Sequence, residues 1–176
     1  MFVCDENCCN DKSQTSKATD NYMTPYSAWE SISRYIDRSA VIWDPFYGNG
    51  DSKVHFEKLG YRNIIHKNEC FFKSSYPEAD IIVSNPPFSI LQPVLKKLRE
   101  INKPFILLLH NRTMSTQYFQ TIFGDVLDQF TFLIPAKRIN FVSTENANQS
   151  NCSFDCFYYC YKMNFQKQII FLKNEN

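Results

Sequence analysis

Short apolar runs and amphipathic stretches alternate along the first two thirds of this chain. Four runs suggest buried strands: residues 40–43, 64–65, 80–84 and 105–109. Three stretches have helical spacing of apolar positions or helix-start signals: residues 52–59, 91–101 and 116–123. Apolar strands that alternate with helices predict an α/β domain with a largely parallel sheet.

The N-terminal segment has a different pattern. Residues 1–20 are polar and aperiodic, so we predict a flexible tail there and a single domain over residues 21–176. A helix start follows the tail, since Thr24 is able to cap a helix and Pro25 suits its first position. Apolar positions continue from Ala28 to Ile36 on one face of this predicted helix.

The last third of the chain has strand-like segments with no helix between them. These segments are residues 130–134, 138–142 and 154–161, with a polar loop over residues 143–151. The pattern predicts a C-terminal antiparallel hairpin that closes the sheet.

Composition narrows the function classes. The formal net charge is +1, so any nucleic-acid contact must come from a local basic patch rather than a basic surface as a whole. The seven cysteines form no CxxC pair, which argues against a zinc site, and we expect no bound metal. No signal peptide or apolar run of about 20 residues is visible. We therefore expect reduced thiols and a cytoplasmic or nuclear protein that is neither secreted nor membrane-bound.

Residues 44–50, with the sequence DPFYGNG, follow the first predicted strand. Gly48 and Gly50 permit a sharp turn and a close approach of a ligand to the backbone, while Asp44 offers a carboxylate at the strand end. The absence of a following GK[ST] argues against a phosphate-binding Walker loop. Glycines also mark ordinary strand–helix turns, so this segment alone leaves both interpretations open.

Residues 85–88, with the sequence NPPF, follow the strand that ends at Ser84. Pro86 and Pro87 lack N–H donors, which leaves the Asn85 side-chain oxygen and nearby carbonyls as acceptors. Such a site suits a substrate with an NH2 group, and Phe88 offers a flat face for stacking. A proline-terminated strand with a polar cap is the alternative.

Together these motifs resemble those of the N6-adenine DNA methyltransferases, most closely the short Dam-like enzymes of phages and other viruses. DPFYGNG is similar to their DPFxGxG cofactor motif, NPPF to their [DNS]PP[YFW] catalytic motif, and TPYSAW at residues 24–29 to their N-terminal cofactor motif. The C-terminal block KRINFV is also similar, and the resemblance covers about residues 22–162.

The resemblance implies a Rossmann-like class I fold, S-adenosylmethionine (AdoMet) as cofactor and DNA as partner. It assigns a catalytic role to Asn85, Pro86, Pro87 and Phe88. It assigns cofactor binding to the following residues: Tyr22, Thr24, Pro25, Asp44, Phe46, Gly48 and Gly50. A homodimer or a partner subunit is compatible with it.

One departure from the family pattern concerns its acidic cofactor residues. The span between Gly60 and Asn85 is too short for two full strands with their loops, and Glu69 alone is suitably placed. We assign Glu69 to the cofactor without choosing between its ribose and its adenine ring. The neighbouring His66 and Lys67 are interpreted as parts of a solvated loop.

Nucleic-acid contacts are predicted at Arg112, Arg138 and Phe141. Arg112 follows the predicted strand that ends at Leu109, while Arg138 and Phe141 come just before the polar loop at residues 143–151. Solvated strand ends would have the same composition. Three alternative functions remain: methylation of RNA adenine, methylation of a protein glutamine, and a non-catalytic binding subunit with this fold. The glutamine enzymes more typically carry NPPY, which favours adenine.

Overall fold

The structure, a computed structural model, describes residues 22–143 and 155–173. Its strands are β1 (Tyr22–Met23), β2 (Ile42–Trp43), β3 (Ile64–Ile65), β4 (Ile81–Ser84), β5 (Phe105–His110), β6 (Phe130–Ile134), β7 (Val142–Ser143), β8 (Cys156–Tyr161) and β9 (Ile169–Phe171). Its α-helices are α1 (Tyr26–Ser33), α2 (Asp51–Lys58), α3 (Leu91–Ile101) and α4 (Gln117–Phe123). Short 3₁₀ helices cover Phe88–Ile90, Asn111–Ser115 and Gly124–Gln129.

Seven strands form one sheet in the order β3-β2-β4-β5-β8-β6-β9. Strands β3, β2, β4 and β5 are mutually parallel, and β9 is parallel to β6. Strand β8 is antiparallel to both β5 and β6, so β6 has the same direction as β5. The strands other than β8 therefore end at one edge of the sheet, called the carboxyl edge below. The predicted α/β class with a mostly parallel sheet is confirmed.

The C-terminal strands depart from the predicted hairpin in one respect. Strands β6 and β8 pair antiparallel as expected, but β8 lies between β5 and β6 instead of beyond them. The strand predicted over residues 138–142 is wrong, because β8 and β9 already occupy both sides of β6. Only β7 forms there, and it pairs with β1 in a separate two-stranded sheet.

Side chains alternate between the two faces of the sheet and build a core on each. In β5, Phe105 and Leu107 belong to one core while Ile106 and Leu108 belong to the other. Helices α3 and α4 pack on the first face, and Trp29 of α1 and Phe56 of α2 pack on the second. The domain is thus a three-layer arrangement whose sheet is covered on both faces.

The helix ends agree only in part with the signals in the sequence. Pro25 is the N-cap of α1 and not its first residue, and Thr24 makes no capping bond. Thr116 does cap α4, since its hydroxyl accepts a hydrogen bond from the Phe119 N–H at 3.3 Å. Gly60, at φ +91°, follows α2 as the predicted helix terminator.

Some predictions fall outside the described residues, namely the tail at residues 1–20, the loop at 144–151 and position 154. Within the described parts of the chain, no helix is long and apolar enough to cross a membrane. The same residues contain no group of three or more His, Cys, Asp or Glu side chains suited to a metal ion. Cys156 and Cys160 are buried free thiols, whereas Cys70 is disulfide-bonded, contrary to the expectation of reduced cysteines.

Candidate active site

A cavity at the carboxyl edge brings the two sequence motifs together. The predicted site residues that line it are Tyr22, Thr24, Asp44, Phe46, Gly48, Asn85, Pro86, Pro87, Phe88 and Phe141. Met23, Tyr47, Asn49 and Ser52 complete its wall. The two motifs meet because β2 and β4 are adjacent parallel strands, so that the loops after them open at the same place. We call this space the motif cavity.

Asn85 presents a hydrogen-bond acceptor at the motif cavity. Its Nδ2 donates to the Thr24 hydroxyl oxygen at 3.0 Å, which fixes the orientation of the amide. Its Oδ1 is buried and has no hydrogen-bond partner among the described residues. A buried acceptor without a partner costs free energy, on the order of 1–3 kcal/mol, unless a ligand donates to it. The arrangement is therefore suited to an N–H donor.

Asp44 is buried beneath the glycine turn, with 1% of its surface exposed. Its Oδ1 accepts hydrogen bonds from the Ser84 hydroxyl and from the Phe46 N–H, the latter at 3.3 Å. Its Oδ2 lies 3.5 Å from His66 Nδ1. Burial raises the pKa of Asp44, and the nearby His66 and the hydrogen bonds oppose that rise. The carboxyl group thus connects the end of β2, the end of β4 and the turn between β2 and α2.

His66 does not lie in a solvated loop, so that part of the sequence interpretation is wrong. It is 8% exposed, and its Nδ1 donates to the Asp44 carbonyl oxygen at 3.0 Å. The Tyr47 ring stacks on the imidazole at a centroid distance of 4.9 Å. The cause is the register between β2 and β3. Trp43 pairs with Ile65, so Asp44 and His66, which come next in the chain, also lie side by side. Lys67 is exposed as expected.

Two glycines of the first motif have backbone angles that other residues rarely adopt. Gly48 has φ +54° and Gly50 has φ +90°. A Cβ atom at Gly50 would lie 3.1 Å from the Tyr47 hydroxyl oxygen, and one at Gly48 would lie 3.3 Å from Met23 Sδ. The Gly50 N–H donates to the Tyr47 carbonyl at 2.9 Å and closes the turn before α2. The predicted sharp turn is present, and its shape depends on glycine.

Three residues predicted to bind the cofactor, Glu69, Pro25 and Gly50, do not line the motif cavity. Glu69 lines an adjoining groove that it shares with Phe46, Gly48 and Pro87, and its side chain is 58% exposed. Its Oε1 is 3.8 Å from Lys67 Nζ. Pro25 lines a separate groove on the other side of Thr24. A ligand that reached both the motif cavity and Glu69 would cross the glycine turn.

The three residues predicted to contact nucleic acid are not grouped together. Phe141 is buried in the motif cavity and packs edge-on against Tyr22 at a centroid distance of 6.3 Å. Arg138 lies outside this cavity, and its Nε donates to Asp155 Oδ1 at 2.8 Å. Arg112 is exposed just beyond β5.

The two arginines belong to a charged cluster at the carboxyl edge. The hydrogen bond from Arg138 lowers the pKa of Asp155. His110 accepts a hydrogen bond from the Arg112 N–H at 3.0 Å, and its pKa is lowered by partial burial and by the Arg112 charge. His110 also interacts electrostatically with Asp155. Asp155 is the acidic member of this cluster, so the cluster carries less net positive charge than its arginines alone would give.

Comparison with known proteins relates this chain to methyltransferases by fold. No protein-family model and no curated protein matches its sequence. Its fold is similar to the crystal structure of a dimethyladenosine transferase from Plasmodium falciparum, with a TM-score of 0.52 and 15% identity over 79% of this chain and 62% of that chain. It is also similar to a precorrin-6y C5,15-methyltransferase from Geobacter metallireducens, with a TM-score of 0.42 and 12% identity over 76% of this chain and 86% of that one.

The first of these similarities concerns the fold alone. It confirms the predicted Rossmann-like class I methyltransferase fold, in which one antiparallel strand is inserted into an otherwise parallel sheet. The match spans about 62% of the length of the transferase.

Proposed function

We propose that this protein is an AdoMet-dependent methyltransferase that acts on the N6 amino group of adenine in DNA. The observation that carries the proposal is the buried Asn85 Oδ1, which has no partner among the described residues and lies at the meeting point of the NPPF segment and the glycine turn. A class I methyltransferase fold surrounds this acceptor. The order and spacing of the motifs resemble those of N6-adenine DNA methyltransferases.

The lining of the motif cavity supports binding of the methionine end of AdoMet there. Gly48 allows close approach to the backbone, Gly50 closes the turn next to it, and the Asp44 carboxylate would supply negative charge beside a cationic ligand. Tyr22, Thr24 and Phe46 complete this side of the cavity. Glu69, in the groove beyond the glycine turn, is the candidate partner of the ribose or the adenine ring. AdoMet would supply an electrophilic methyl group bound to a sulfonium.

The protein's part in catalysis is to orient the acceptor amino group. The adenine amino nitrogen is a poor nucleophile, since its lone pair is delocalised into the ring. Hydrogen bonds from its two hydrogens to Asn85 Oδ1 and to the Pro86 carbonyl would pull the nitrogen toward tetrahedral geometry and free the lone pair. The freed lone pair would then be able to accept the methyl group that bound AdoMet would supply, with the sulfur leaving as a neutral thioether. The amino proton leaves to solvent after the nitrogen has become cationic, so no strong base is required.

Phe88 lies beside Asn85 in the motif cavity and is the proposed stacking partner of the adenine ring. A duplex substrate would first have to turn the target base out of its helix. Arg112 and Arg138 are the proposed phosphate contacts, and Phe141 is the proposed aromatic contact near the base. For Arg138 this contact competes with its hydrogen bond to Asp155.

RNA adenine is the second candidate substrate. The fold neighbour with the higher TM-score is named as a dimethyladenosine transferase, which favours an adenine amino group over a glutamine amide but does not distinguish DNA from RNA. The preference for DNA rests on the resemblance of the motifs.

One experiment tests both parts of the proposal. The purified protein is incubated with methyl-labelled AdoMet and separate pools of DNA, RNA and protein, and AdoMet binding is measured by calorimetry. We expect AdoMet binding and label in DNA as N6-methyladenine. Label in RNA or protein would identify that molecule as the substrate in place of DNA. The absence of AdoMet binding would contradict the proposal that this protein is a methyltransferase.

A further inference from the structure

A second groove lies on the other side of Thr24 from the motif cavity. The residues that matter for its chemistry are Pro25, Glu30, Lys137, Arg138, Asn140 and Lys173. They come from the start of α1, the loop after β6 and the end of β9. We call this surface the basic groove.

Strand direction brings two lysines to the basic groove. Strands β6 and β9 are parallel, so both end at the carboxyl edge, and the Leu172 N–H donates to the Ile134 carbonyl at 2.9 Å. Lys173 follows this bond directly, and Lys137 comes three residues after Ile134. The two lysines are thus held near one another although 36 residues separate them in the chain.

The lysines give the basic groove its available positive charge. Both are exposed, and neither makes an ion pair with any residue that the structure describes. Arg138 is engaged by Asp155, and Glu30 is an acidic member of the groove wall. A polyanion would therefore meet Lys137 and Lys173 first.

The basic groove adjoins the motif cavity. Two pairs of consecutive residues join them: Thr24 lines the cavity and Pro25 the groove, while Phe141 lines the cavity and Asn140 the groove. Consecutive Cα atoms are about 3.8 Å apart, so the wall between the two spaces is one residue thick at each point. A chain whose base occupied the cavity would have its neighbouring residues at the groove.

We propose that the basic groove binds the phosphodiester backbone of the polynucleotide strand on one side of the target adenine, through Lys137 and Lys173. The inference rests on the proposed function, since that function places a base beside Asn85. Lysine contacts to phosphate carry no sequence information, so the groove would hold the strand in register without selecting a target sequence.

The test uses fluorescence anisotropy with a labelled single-stranded oligonucleotide that contains one central adenine, titrated at several salt concentrations. DNA and RNA versions of the oligonucleotide form separate arms. The protein carries Lys137→Ala and Lys173→Ala together. Lys103→Ala is the matched control, because Lys103 precedes β5 and therefore lies at the opposite edge of the sheet. Thermal unfolding establishes that each variant is folded.

We expect the double variant to bind the oligonucleotide roughly tenfold more weakly at low salt, and the slope of log affinity against log salt to fall by about 1.4, or about 0.7 for each lost phosphate contact. The control variant should match the unmodified protein. Methyl transfer to free adenosine, which has no phosphodiester group for the groove to bind, should be equal in all three proteins.

The outcomes separate the two proposals. An unchanged salt slope in the double variant would overturn the groove proposal, and so would an equal loss of oligonucleotide affinity in the Lys103→Ala control. If the unmodified protein still methylated its substrate, the proposed function would stand in either case. A lysine-dependent slope without any methyl transfer would retain the groove and contradict the proposed function. Polyglutamate is titrated in a further arm. If it bound in a lysine-dependent way and neither oligonucleotide did, the occupant would be an acidic protein segment and the proposal would be overturned.

Discussion

The motif cavity and the basic groove are neighbours that are built in different ways. Most of the cavity's polar groups come from two short segments after β2 and β4, and Asp44 and the Asn85 Oδ1 among them are buried. The groove is assembled from residues as distant in sequence as Pro25 and Lys173, and its charges are exposed. Buried polar atoms orient a ligand strongly, whereas exposed charges are screened by salt. This difference supports our proposals that the chemical step takes place in the cavity and that the groove holds the substrate.

The largest expected effect in this comparison is that of Asn85→Ala. Loss of one positioned acceptor costs about 2.7–4 kcal/mol of barrier, or roughly 10²–10³ in turnover. AdoMet affinity should remain near that of the unmodified protein, because we propose that Asn85 contacts the acceptor base and not the cofactor. Steady-state methylation kinetics and calorimetry measure the two quantities.

Thr24 provides the control for this prediction, since its hydroxyl oxygen accepts the hydrogen bond from Asn85 Nδ2. Thr24→Ser keeps that acceptor and should be nearly silent, while Thr24→Val should lower turnover by less than Asn85→Ala does. Near-normal turnover in Asn85→Ala would make the NPPF segment structural and remove the distinction between cavity and groove.

A second prediction concerns Gly50 and uses Gly60 as its match. Both have φ near +90°, so either alanine substitution should lower the free energy of unfolding by about 1–2 kcal/mol. Each kcal/mol lost should lower Tm by about 2–4 °C. Gly50→Ala should also weaken AdoMet binding, because the new Cβ would press on Tyr47 at the cavity wall. Gly60→Ala should leave binding unchanged, as its nearest neighbour would be 3.9 Å away. Equal AdoMet affinity in both variants would contradict the proposed contact between the glycine turn and the cofactor.

A third prediction follows from the raised pKa of Asp44, with opposite signs for stability and binding. Because the folded state holds the Asp44 proton more tightly, the stability of the free protein should fall as pH rises from about 3.8 through the raised pKa, and then level off. AdoMet affinity should instead rise over that window, as the carboxylate becomes charged. Asp44→Asn should remove both dependences, with thermal unfolding and calorimetry as the measurements. The same pH profiles in Asp44→Asn would contradict the assignment of the titration to Asp44.

The smallest effects are expected for the exposed pair Arg138 and Asp155 beside the basic groove. Arg138→Ala should raise the Michaelis constant for DNA and lower the salt slope by about one, with little change in stability. Asp155→Asn frees the guanidinium and should strengthen DNA binding at low salt. Oligonucleotide titrations at two salt concentrations measure both. A loss of turnover at saturating DNA in either variant would show that the charged cluster takes part in the chemical step.

The sequence was most informative where structure is determined locally. The apolar period of α3, the turn glycines and the NPPF segment each lie within a dozen residues, and their elements were predicted within one or two residues of the observed bounds. His66 was misjudged because its burial depends on the register between β2 and β3, which the two-residue run Ile64–Ile65 does not reveal.

The C-terminal region was less predictable because strand order there depends on long-range pairing. The apolar pattern of residues 156–161 indicates a strand, but it cannot show that this strand pairs with β5 as well as β6. Strand β9 was missed entirely, since it has three residues and exposes Ile169 and Phe171. The partners of Arg138 and Arg112 follow from these pairings and were missed with them.

The insertion of β8 also has a consequence for how the chain folds. Strand β8 pairs with β5 over six residues and with β6 over four, yet it is synthesised after both. Until residue 161 is available, β5 and β6 each have an open hydrogen-bonding side, which is a hazard for intermolecular pairing. Contacts of such long sequence separation also slow folding. We therefore expect cooperative folding on the ribosome to await β8, and chains that end before it to aggregate rather than form a smaller domain.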